Sequence, residues 1–277
     1  MNEKILTIGK DVMIVGILTE PENASPKKPL VLLPNAGILH RVGPYRQWVD
    51  LARRLSEDGF TVFRFDLTGL GDSDMRNDVK EDAERAIADI IEVMDYLDKT
   101  LNTHKFVIIG LCSGADYGHP VAVMDKRVVG TFFIDAYGYR TRFWYVHHYL
   151  PRLLNVKRLG NRLRELCNRL LPARLSLSSK NTPKLKATQY MRDFPPREQV
   201  QTELGQLVDR DVSMFFIYTN GVDRYLNYAN QFRAMFPKLD WKNKIEVAFY
   251  PESDHTFSLL VHRAKLEGLI RTWISRF

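Results

Sequence analysis

Residues 106–115 read FVIIGLCSGA, and this stretch decides the fold. Its first half is an apolar run typical of a buried strand, and its second half contains Gly110, Cys112 and Gly114 at alternate positions. In a nucleophile elbow, the central residue lies on a strained turn between a strand and a helix, and the flanking glycines leave room for the backbone. The spacing therefore predicts that Cys112 projects above a sheet as a nucleophile, at a helix N-terminus that favours the thiolate. The alternative is a small buried side chain, a common environment for a free thiol.

Short apolar runs and helical patterns alternate on both sides of this stretch. The runs predict strands at Val12–Leu18, Leu30–Leu33, Phe60–Phe65, Lys105–Ile109, Val128–Ile134, Met214–Tyr218 and Ile245–Tyr250. Helical spacing of apolar residues predicts helices at Tyr45–Glu57, Glu81–Leu97 and Phe257–Phe277. Two strands before the first helix suggest an antiparallel hairpin at the sheet edge. Together these patterns predict an α/β fold with a mostly parallel, eight-stranded sheet and helices on both faces.

The composition is that of an ordinary globular protein. The chain has 277 residues, of which 45% are apolar and 26% are charged. Two cysteines, Cys112 and Cys167, are too few for a disulfide scaffold or a structural zinc cluster, and they indicate a reducing compartment. The first residues lack the apolar run of a signal peptide, and no stretch approaches the roughly 18 apolar residues of a membrane span. We therefore expect a cytoplasmic protein without an integral membrane segment.

Basic charge is concentrated in one window of the chain. Residues 136–210 hold 15 basic and 5 acidic side chains, whereas the remainder holds 25 basic and 28 acidic ones. The window has no convincing strand, and leucines recur in it at helical spacing: Leu159, Leu163, Leu166 and Leu170. We predict a helical cap over residues 136–210, inserted into a core formed by residues 1–135 and 211–277.

Aromatic residues cluster at the start of the predicted cap: Tyr137, Tyr139, Phe143, Trp144, Tyr145 and Tyr149. Because they follow a strand end that faces the elbow, Tyr137, Phe143 and Trp144 are candidate substrate-binding residues that would line an apolar acyl pocket. The alternative is that they pack the cap against the core.

A nucleophile at the elbow needs a base and a carboxylate that orients the base. In folds with an elbow these follow in the chain order nucleophile, acid, base. The order predicts Asp223, in the loop after the sixth predicted strand, as the acid, and His255, at the start of the last helix, as the base that deprotonates Cys112. Asp135, at the end of the fifth predicted strand, is the alternative acid. Asp254 is expected to face away and to cap the helix, and Asp223 and His255 could instead be ordinary turn and helix-terminal residues.

Acyl-transfer chemistry also needs donors for the developing oxyanion. We predict the backbone N–H of Ser113 as one donor, with the hydroxyl of Ser113 pointing away from the site. The second donor is expected from the loop after the strand Leu30–Leu33, at Gly37, with Ala36 or Ile38 as alternatives. A simple glycine turn is the plain alternative for this loop.

The sequence shows no His, Cys, Asp and Glu residues at the spacing typical of a metal site. His147 and His148 are adjacent, but no Cys, Asp or Glu stands at ligand spacing from them. We therefore predict neither a metal nor a cofactor.

Two further stretches complete a resemblance to a known fold family. Residues 66–73, DLTGLGDS, are similar to the D-x-x-G-x-G-x-S turn of the α/β-hydrolase superfamily, which supports the fold near the site without chemistry of its own. With the elbow, the chain resembles that superfamily over nearly its whole length, least so in the cap. The run from Asn35 to Asp66 resembles exosortase-associated hydrolases, a branch of the serine aminopeptidase-like group. Cysteine in place of the usual serine is similar to dienelactone hydrolases and polyhydroxyalkanoate synthases.

Three functions are compatible with these patterns. The first is an acyl hydrolase that cleaves an ester, thioester or lactone through a covalent acyl-enzyme, with cap arginines and lysines attracting an anionic small-molecule or carrier-bound substrate. The second is an acyltransferase that passes the acyl group to an amine, thiol or alcohol. The third is a binding protein whose basic cap docks on a membrane or on nucleic acid. We favour the first, expect no nucleic-acid partner, and leave a homodimer open.

Overall fold

The computed structural model describes residues 1–23, 25, 27–76, 81–154 and 192–277. Cys167 and the leucines of the predicted cap helix lie outside these residues. The eight strands are β1 Asn2–Ile8, β2 Ile14–Glu20, β3 Leu30–Pro34, β4 Val62–Phe65, β5 Phe106–Leu111, β6 Val128–Ile134, β7 Ser213–Thr219 and β8 Ile245–Tyr250. The described helices are α1 Gln47–Glu57, α2 Asp82–Leu101, α3 Ser113–Met124, α4 Arg142–Leu154, α5 Arg197–Asp209, α6 Gln231–Met235 and α7 Leu260–Ile274, with short 3₁₀ turns at Pro44–Arg46 and Asn220–Val222.

One sheet holds all eight strands, in the order β1-β2-β4-β3-β5-β6-β7-β8. β1 pairs antiparallel with β2 and β2 antiparallel with β4, while the strands from β4 to β8 are parallel. The predicted α/β fold with an eight-stranded, mostly parallel sheet is therefore confirmed. The edge hairpin is formed by β1 and β2, however. The hairpin was expected to include Leu30–Leu33. That strand lies in the centre of the sheet instead, because its entirely apolar sequence suits a strand that is covered on both faces.

The apolar residues of the strands divide between the two faces of the sheet. Alternate residues, such as Leu32 and Ile108, pack with α2, α3, α5 and α6, whereas their neighbours, such as Val31 and Ile109, pack with α1 and α7. Because successive side chains of a strand point to opposite faces, both layers are filled from the same strands. The result is a rigid sheet with a helical layer on each side.

The predicted cap contributes two described helices of different character. On α4 the side chains of Phe143, Val146 and Tyr149 are exposed. On α5, by contrast, Val200 and Leu204 are fully buried in the main core. The division of the chain into a core and a cap at residues 136–210 stays a prediction.

No helix among residues 1–23, 27–76, 81–154 and 192–277 is both long enough and apolar enough to cross a bilayer.

Strand register decides which residues meet at the carboxyl edge of the sheet. Leu111 pairs with Ile134, and Ile134 pairs with Ile217 on the next strand. The residues immediately after β5 and β6 are Cys112 and Asp135, and they therefore leave the sheet side by side.

Candidate active site

Cys112 lies between the end of β5 and the start of α3, on a strained turn with φ 55° and ψ −120°. Its N–H donates to the carbonyl of Ile134 at 2.9 Å, which ties the turn to β6. A side chain at position 110 is excluded, because a Cβ there would lie 2.5 Å from the backbone of Gly114. The glycines of the motif thus allow the first turn of α3 to close against the end of the strand.

His255 lies in the loop between β8 and α7, and its Nδ1 lies 2.7 Å from an oxygen of Asp135. The carboxylate of Asp135 is fully buried. It also accepts the backbone N–H of Thr219 at 2.7 Å and the Thr219 hydroxyl at 2.6 Å. A carboxylate held by these donors orients the imidazole and leaves Nε2 for another partner.

The acid predicted from chain order is wrong: the structure brings Asp135, not Asp223, to His255. Asp135 directly follows β6, the strand next to β5, so the register delivers it beside the elbow. Asp223 lies beyond the 3₁₀ turn Asn220–Val222, where its carbonyl accepts the indole N–H of Trp144 at 2.9 Å. Within the described residues its carboxylate makes no hydrogen bond or ion pair. Chain order alone could not distinguish the two loops.

His255 does not open the last helix as predicted, because α7 begins at Leu260. Asp254, expected to cap the last helix, closes a turn instead. Its carboxylate accepts the backbone N–H groups of Thr256 and Ser258 and both of their hydroxyls. These donors hold the pKa of Asp254 well below its usual range, against the opposing effect of burial.

Cys112 and His255 lie close enough to shift each other's ionisation. Burial alone would raise the pKa of the Cys112 thiol, but the nearby imidazole of His255 and the positive charge of Arg192 outweigh it and lower the pKa. Burial alone would lower the pKa of His255, but its hydrogen bond to Asp135 and the neighbouring Cys112 thiol raise the pKa to about 10. The site therefore favours a thiolate beside an imidazolium.

Arg192 is the residue that sequence reasoning missed. Its guanidinium donates to the carbonyl of Asp135 at 2.7 Å and to the carbonyl of Cys112 at 3.2 Å. It also forms a two-pronged ion pair with Asp116, with contacts of 2.9 and 2.5 Å. In the sequence it is one of 15 basic residues between positions 136 and 210, and no spacing sets it apart from the others.

The predicted oxyanion residues lie next to each other, in an arrangement that differs from the prediction in one respect. Gly37 donates its N–H to the hydroxyl of Ser113 at 2.6 Å. That hydroxyl therefore turns toward the donor loop instead of away from it. Gly37 has φ 52°, a conformation that favours glycine, whereas Ala36 is buried and the side chain of Ile38 is 90% exposed. The assignment of the donors themselves stays a prediction.

The aromatic candidates for substrate binding are not brought to the elbow as a group. Tyr137 is 2% exposed and packs in the core against Phe216 and Phe236. Trp144 is equally buried and bonds to the loop of Asp223, and Phe143 is 64% exposed. The burial of Tyr137 and Trp144 agrees with the alternative interpretation, in which the aromatic residues pack the predicted cap against the core. Tyr137 is placed by packing in the core, and its burial gives the predicted contact with substrate no support.

A second polar cluster lies at the end of β4. His40, Asp66 and Asp72 could together offer three ligand atoms to a metal ion. The guanidinium of Arg41 already binds both carboxylates, Asp66 through one nitrogen and Asp72 through the other at 2.7 Å. Because a cation of the protein itself neutralises the two acids, the cluster fits a structural turn better than a metal site.

The chain and its fold are similar to known proteins. The model described as "Alpha/beta hydrolase family" matches residues 30–270. An alpha-beta serine hydrolase homologue from Coxiella burnetii is 12% identical, with 100% of this chain and 98% of that chain covered and a TM-score of 0.58. Est1E from Butyrivibrio proteoclasticus is 14% identical, with coverages of 98% and 99% and a TM-score of 0.58.

Proline iminopeptidase from Mycobacterium smegmatis is 15% identical, with 99% of each chain covered and a TM-score of 0.54. At these identities the likeness concerns the fold. No curated protein matches the sequence at a significant level.

Proposed function

The chain belongs to the alpha/beta hydrolase family, and on that premise we propose that it is an acyl hydrolase with Cys112 as the nucleophile. His255 is the proton carrier, and Asp135 is the carboxylate that orients it. The proposal rests above all on one observation: the imidazole of His255 is hydrogen-bonded at 2.7 Å to the buried carboxylate of Asp135 and lies close enough to the Cys112 thiol for each group to shift the pKa of the other. Within the family we place the chain near the exosortase-associated hydrolases, on the run from Asn35 to Asp66.

The proposed reaction begins with attack of the thiolate on the carbonyl carbon of the substrate. A C–S bond forms, and the carbonyl oxygen takes the negative charge beside the N–H groups of Ser113 and Gly37. Collapse of this intermediate breaks the bond to the leaving group, which receives the proton from Nε2 of His255. An acyl-thioester on Cys112 remains.

Water completes the cycle. His255 takes a proton from the water molecule, whose oxygen attacks the thioester carbonyl, and the C–S bond breaks to release a carboxylic acid and the thiolate of Cys112. The proton that His255 took from water stays on its imidazole, which restores the starting pair of thiolate and imidazolium. Esters, thioesters and lactones all fit this chemistry, and an anionic substrate or carrier would be attracted by the basic residues between positions 136 and 210.

An acyl-thioester also reacts readily with amines, thiols and alcohols, so the same intermediate could serve an acyltransferase. Hydrolysis remains our first proposal because the family is one of hydrolases. The fate of the acyl-enzyme in water, with and without an added acceptor, separates the two.

The direct test is mass spectrometry of the intact protein after exposure to acyl thioesters, aryl esters and lactones. We expect a transient gain of one acyl group in the wild type and none in Cys112→Ala. Cys167→Ala is the matched control, since it removes the other thiol and should acylate normally. Acylation of Cys112→Ala at the wild-type rate would contradict the proposal, and loss of acylation in Cys167→Ala would show that the wrong thiol was chosen.

A further inference from the structure

We propose that Arg192 is a positioning residue, which fixes the backbones of Cys112 and Asp135 side by side and supplies positive charge next to the Cys112 sulfur. This inference rests on the proposed function in so far as it assigns Arg192 a part in acyl transfer. It concerns a residue outside the triad, contributed by the segment that precedes α5.

The first argument is geometric. The two carbonyls that Arg192 binds belong to the nucleophile and to the acid, at 3.2 and 2.7 Å. Cys112 has φ 55° and Asp135 has φ 50°, so both residues hold a backbone conformation that side chains rarely adopt. Strained turns of this kind persist only where their surroundings hold them. One planar guanidinium bonded to both turns couples their positions, which no pair of separate contacts would do.

The second argument concerns the partner of Arg192. Asp116 lies one turn along α3 from the nucleophile, and its own N–H donates to the carbonyl of Cys112 at 3.1 Å. The two-pronged ion pair therefore anchors the guanidinium to the helix that begins at the nucleophile. A lysine could not make these four contacts, because it has no planar fork.

The third argument is electrostatic. The side chain of Arg192 is only 9% exposed, so its charge acts through protein rather than through water. The charged groups around the Cys112 thiol are His255, Arg192 and Asp116, with Asp135 behind His255. Arg192 and His255 favour the thiolate, and Asp116 opposes it. The two members of one ion pair thus act on the sulfur in opposite directions.

Because Arg192 and Asp116 have opposite effects on the Cys112 thiolate, the proposal can be tested without a substrate. The measurement is the rate of alkylation of Cys112 by iodoacetamide across the pH range, in a Cys167→Ala background. We expect Arg192→Met to slow alkylation about tenfold near pH 6, because a nearby positive charge is lost. Asp116→Asn, which breaks the same ion pair, should leave the rate equal to or above that of the parent. A slower rate in both variants would mean only that the site had loosened, and would overturn the electrostatic part.

Arg192→Lys separates charge from geometry. It keeps the charge, so alkylation should stay within about threefold of the parent, but it loses the fork, so kcat for an activated ester or thioester should fall about tenfold or more with little change in KM. Unchanged kcat in Arg192→Lys would overturn the positioning role. Should Arg192→Met fail to fold, Asp116→Asn and Arg192→Lys still decide, since a slower rate at pH 6 in Asp116→Asn overturns the proposed charge effect.

The two proposals fail in distinguishable ways. If the protein turns over no ester, thioester or lactone but the alkylation rates follow the expected order, the proposed hydrolase fails and the assignment of Arg192 to the thiolate stands. If turnover depends on Cys112 while neither variant of Arg192 changes alkylation or kcat, the hydrolase stands and the inference about Arg192 falls.

Discussion

The loops after β6 and β7 each carry an aspartate, and the two aspartates differ in almost every physical respect. Asp135 directly follows its strand, is fully buried and is held by Thr219 and His255. Asp223 follows a 3₁₀ turn and is partly exposed, and its contacts among the described residues are made by its backbone, with Asn220 and Trp144. Both aspartates lie between Cys112 and His255 in the chain, so chain order admits either, and the comparison teaches that strand neighbourhood decides which of them reaches His255.

The largest expected effect is that of Asp135→Asn. An amide at this position would donate to Nδ1 of His255 and place the ring proton on Nε2, where it blocks proton transfer from the thiol. We expect kcat for an activated ester or thioester to fall about 10³-fold with a folded protein. The measurement is steady-state kinetics beside a thermal melt. A fall of less than tenfold would mean that Asp135 is not the acid.

The second prediction concerns stability and pH. The folded-state pKa of His255 is raised to about 10 from 6.5, so its stabilising interaction with Asp135 is fully present below pH 6.5 and is lost as the pH rises through about 10. The difference in free energy of unfolding between the wild type and Asp135→Asn should therefore be largest near pH 6 and narrow toward pH 10. Urea denaturation at pH 6, 8 and 10 measures it. A difference that grows with pH would contradict the assignment.

A smaller effect is expected from Thr219→Val, which removes one hydroxyl donor from the buried carboxylate of Asp135. A hydrogen bond to a charged group contributes about 1.5–3 kcal/mol, so the loss should lower kcat about tenfold and leave KM nearly unchanged. Thr219→Ser restores the hydroxyl and is the matched control. A loss in Thr219→Ser with no loss in Thr219→Val would contradict this prediction, because valine keeps the methyl group and only serine lacks it.

The smallest effect is expected from the substitution of Asp223, the aspartate in the loop after β7. Asp223→Asn should leave kcat within about twofold and the free energy of unfolding within about 0.5 kcal/mol, because the carboxylate makes no hydrogen bond or ion pair within the described part of the chain. Kinetics and urea denaturation alongside Asp135→Asn are the measurements. A loss in Asp223→Asn as large as that in Asp135→Asn would return the acid to the loop after β7.

The fold could be predicted from the sequence because its signals are local. The apolar run before Gly110 and the alternation of strands and helices along the chain predict the parallel sheet without knowledge of any contact. The elbow is also a local signal, because the backbones at positions 110 and 114 approach closely and leave room only for glycine at position 110. His255 could be predicted to lie between the last strand and the last helix for the same reason, although the helix begins later than expected, at Leu260.

The sequence offers Asp135 only as the alternative acid and does not single out Arg192, because both depend on contacts between distant parts of the chain. Asp135 is selected by the pairing of Leu111 with Ile134, and sequence pattern does not give strand register between neighbours. Arg192 lies 80 positions from Cys112, and only the fold brings its guanidinium to that carbonyl. Sequence pattern does not separate an aromatic residue that lines a site from one that packs in the core, and Tyr137 lies in the core.

The hydrogen bond between Gly37 and Ser113 has a consequence for inhibitor chemistry. In the resting protein the amide of Gly37 is already satisfied by a hydroxyl of the same chain at 2.6 Å. A compound that is designed to bind the Gly37 amide must displace the hydroxyl of Ser113. Because that hydroxyl is part of the same chain, its effective concentration at the amide exceeds the concentration of a free ligand. An electrophilic inhibitor that first forms a bond with the sulfur of Cys112 becomes part of the same molecule. Its contact with the Gly37 amide is then intramolecular, as is that of the Ser113 hydroxyl.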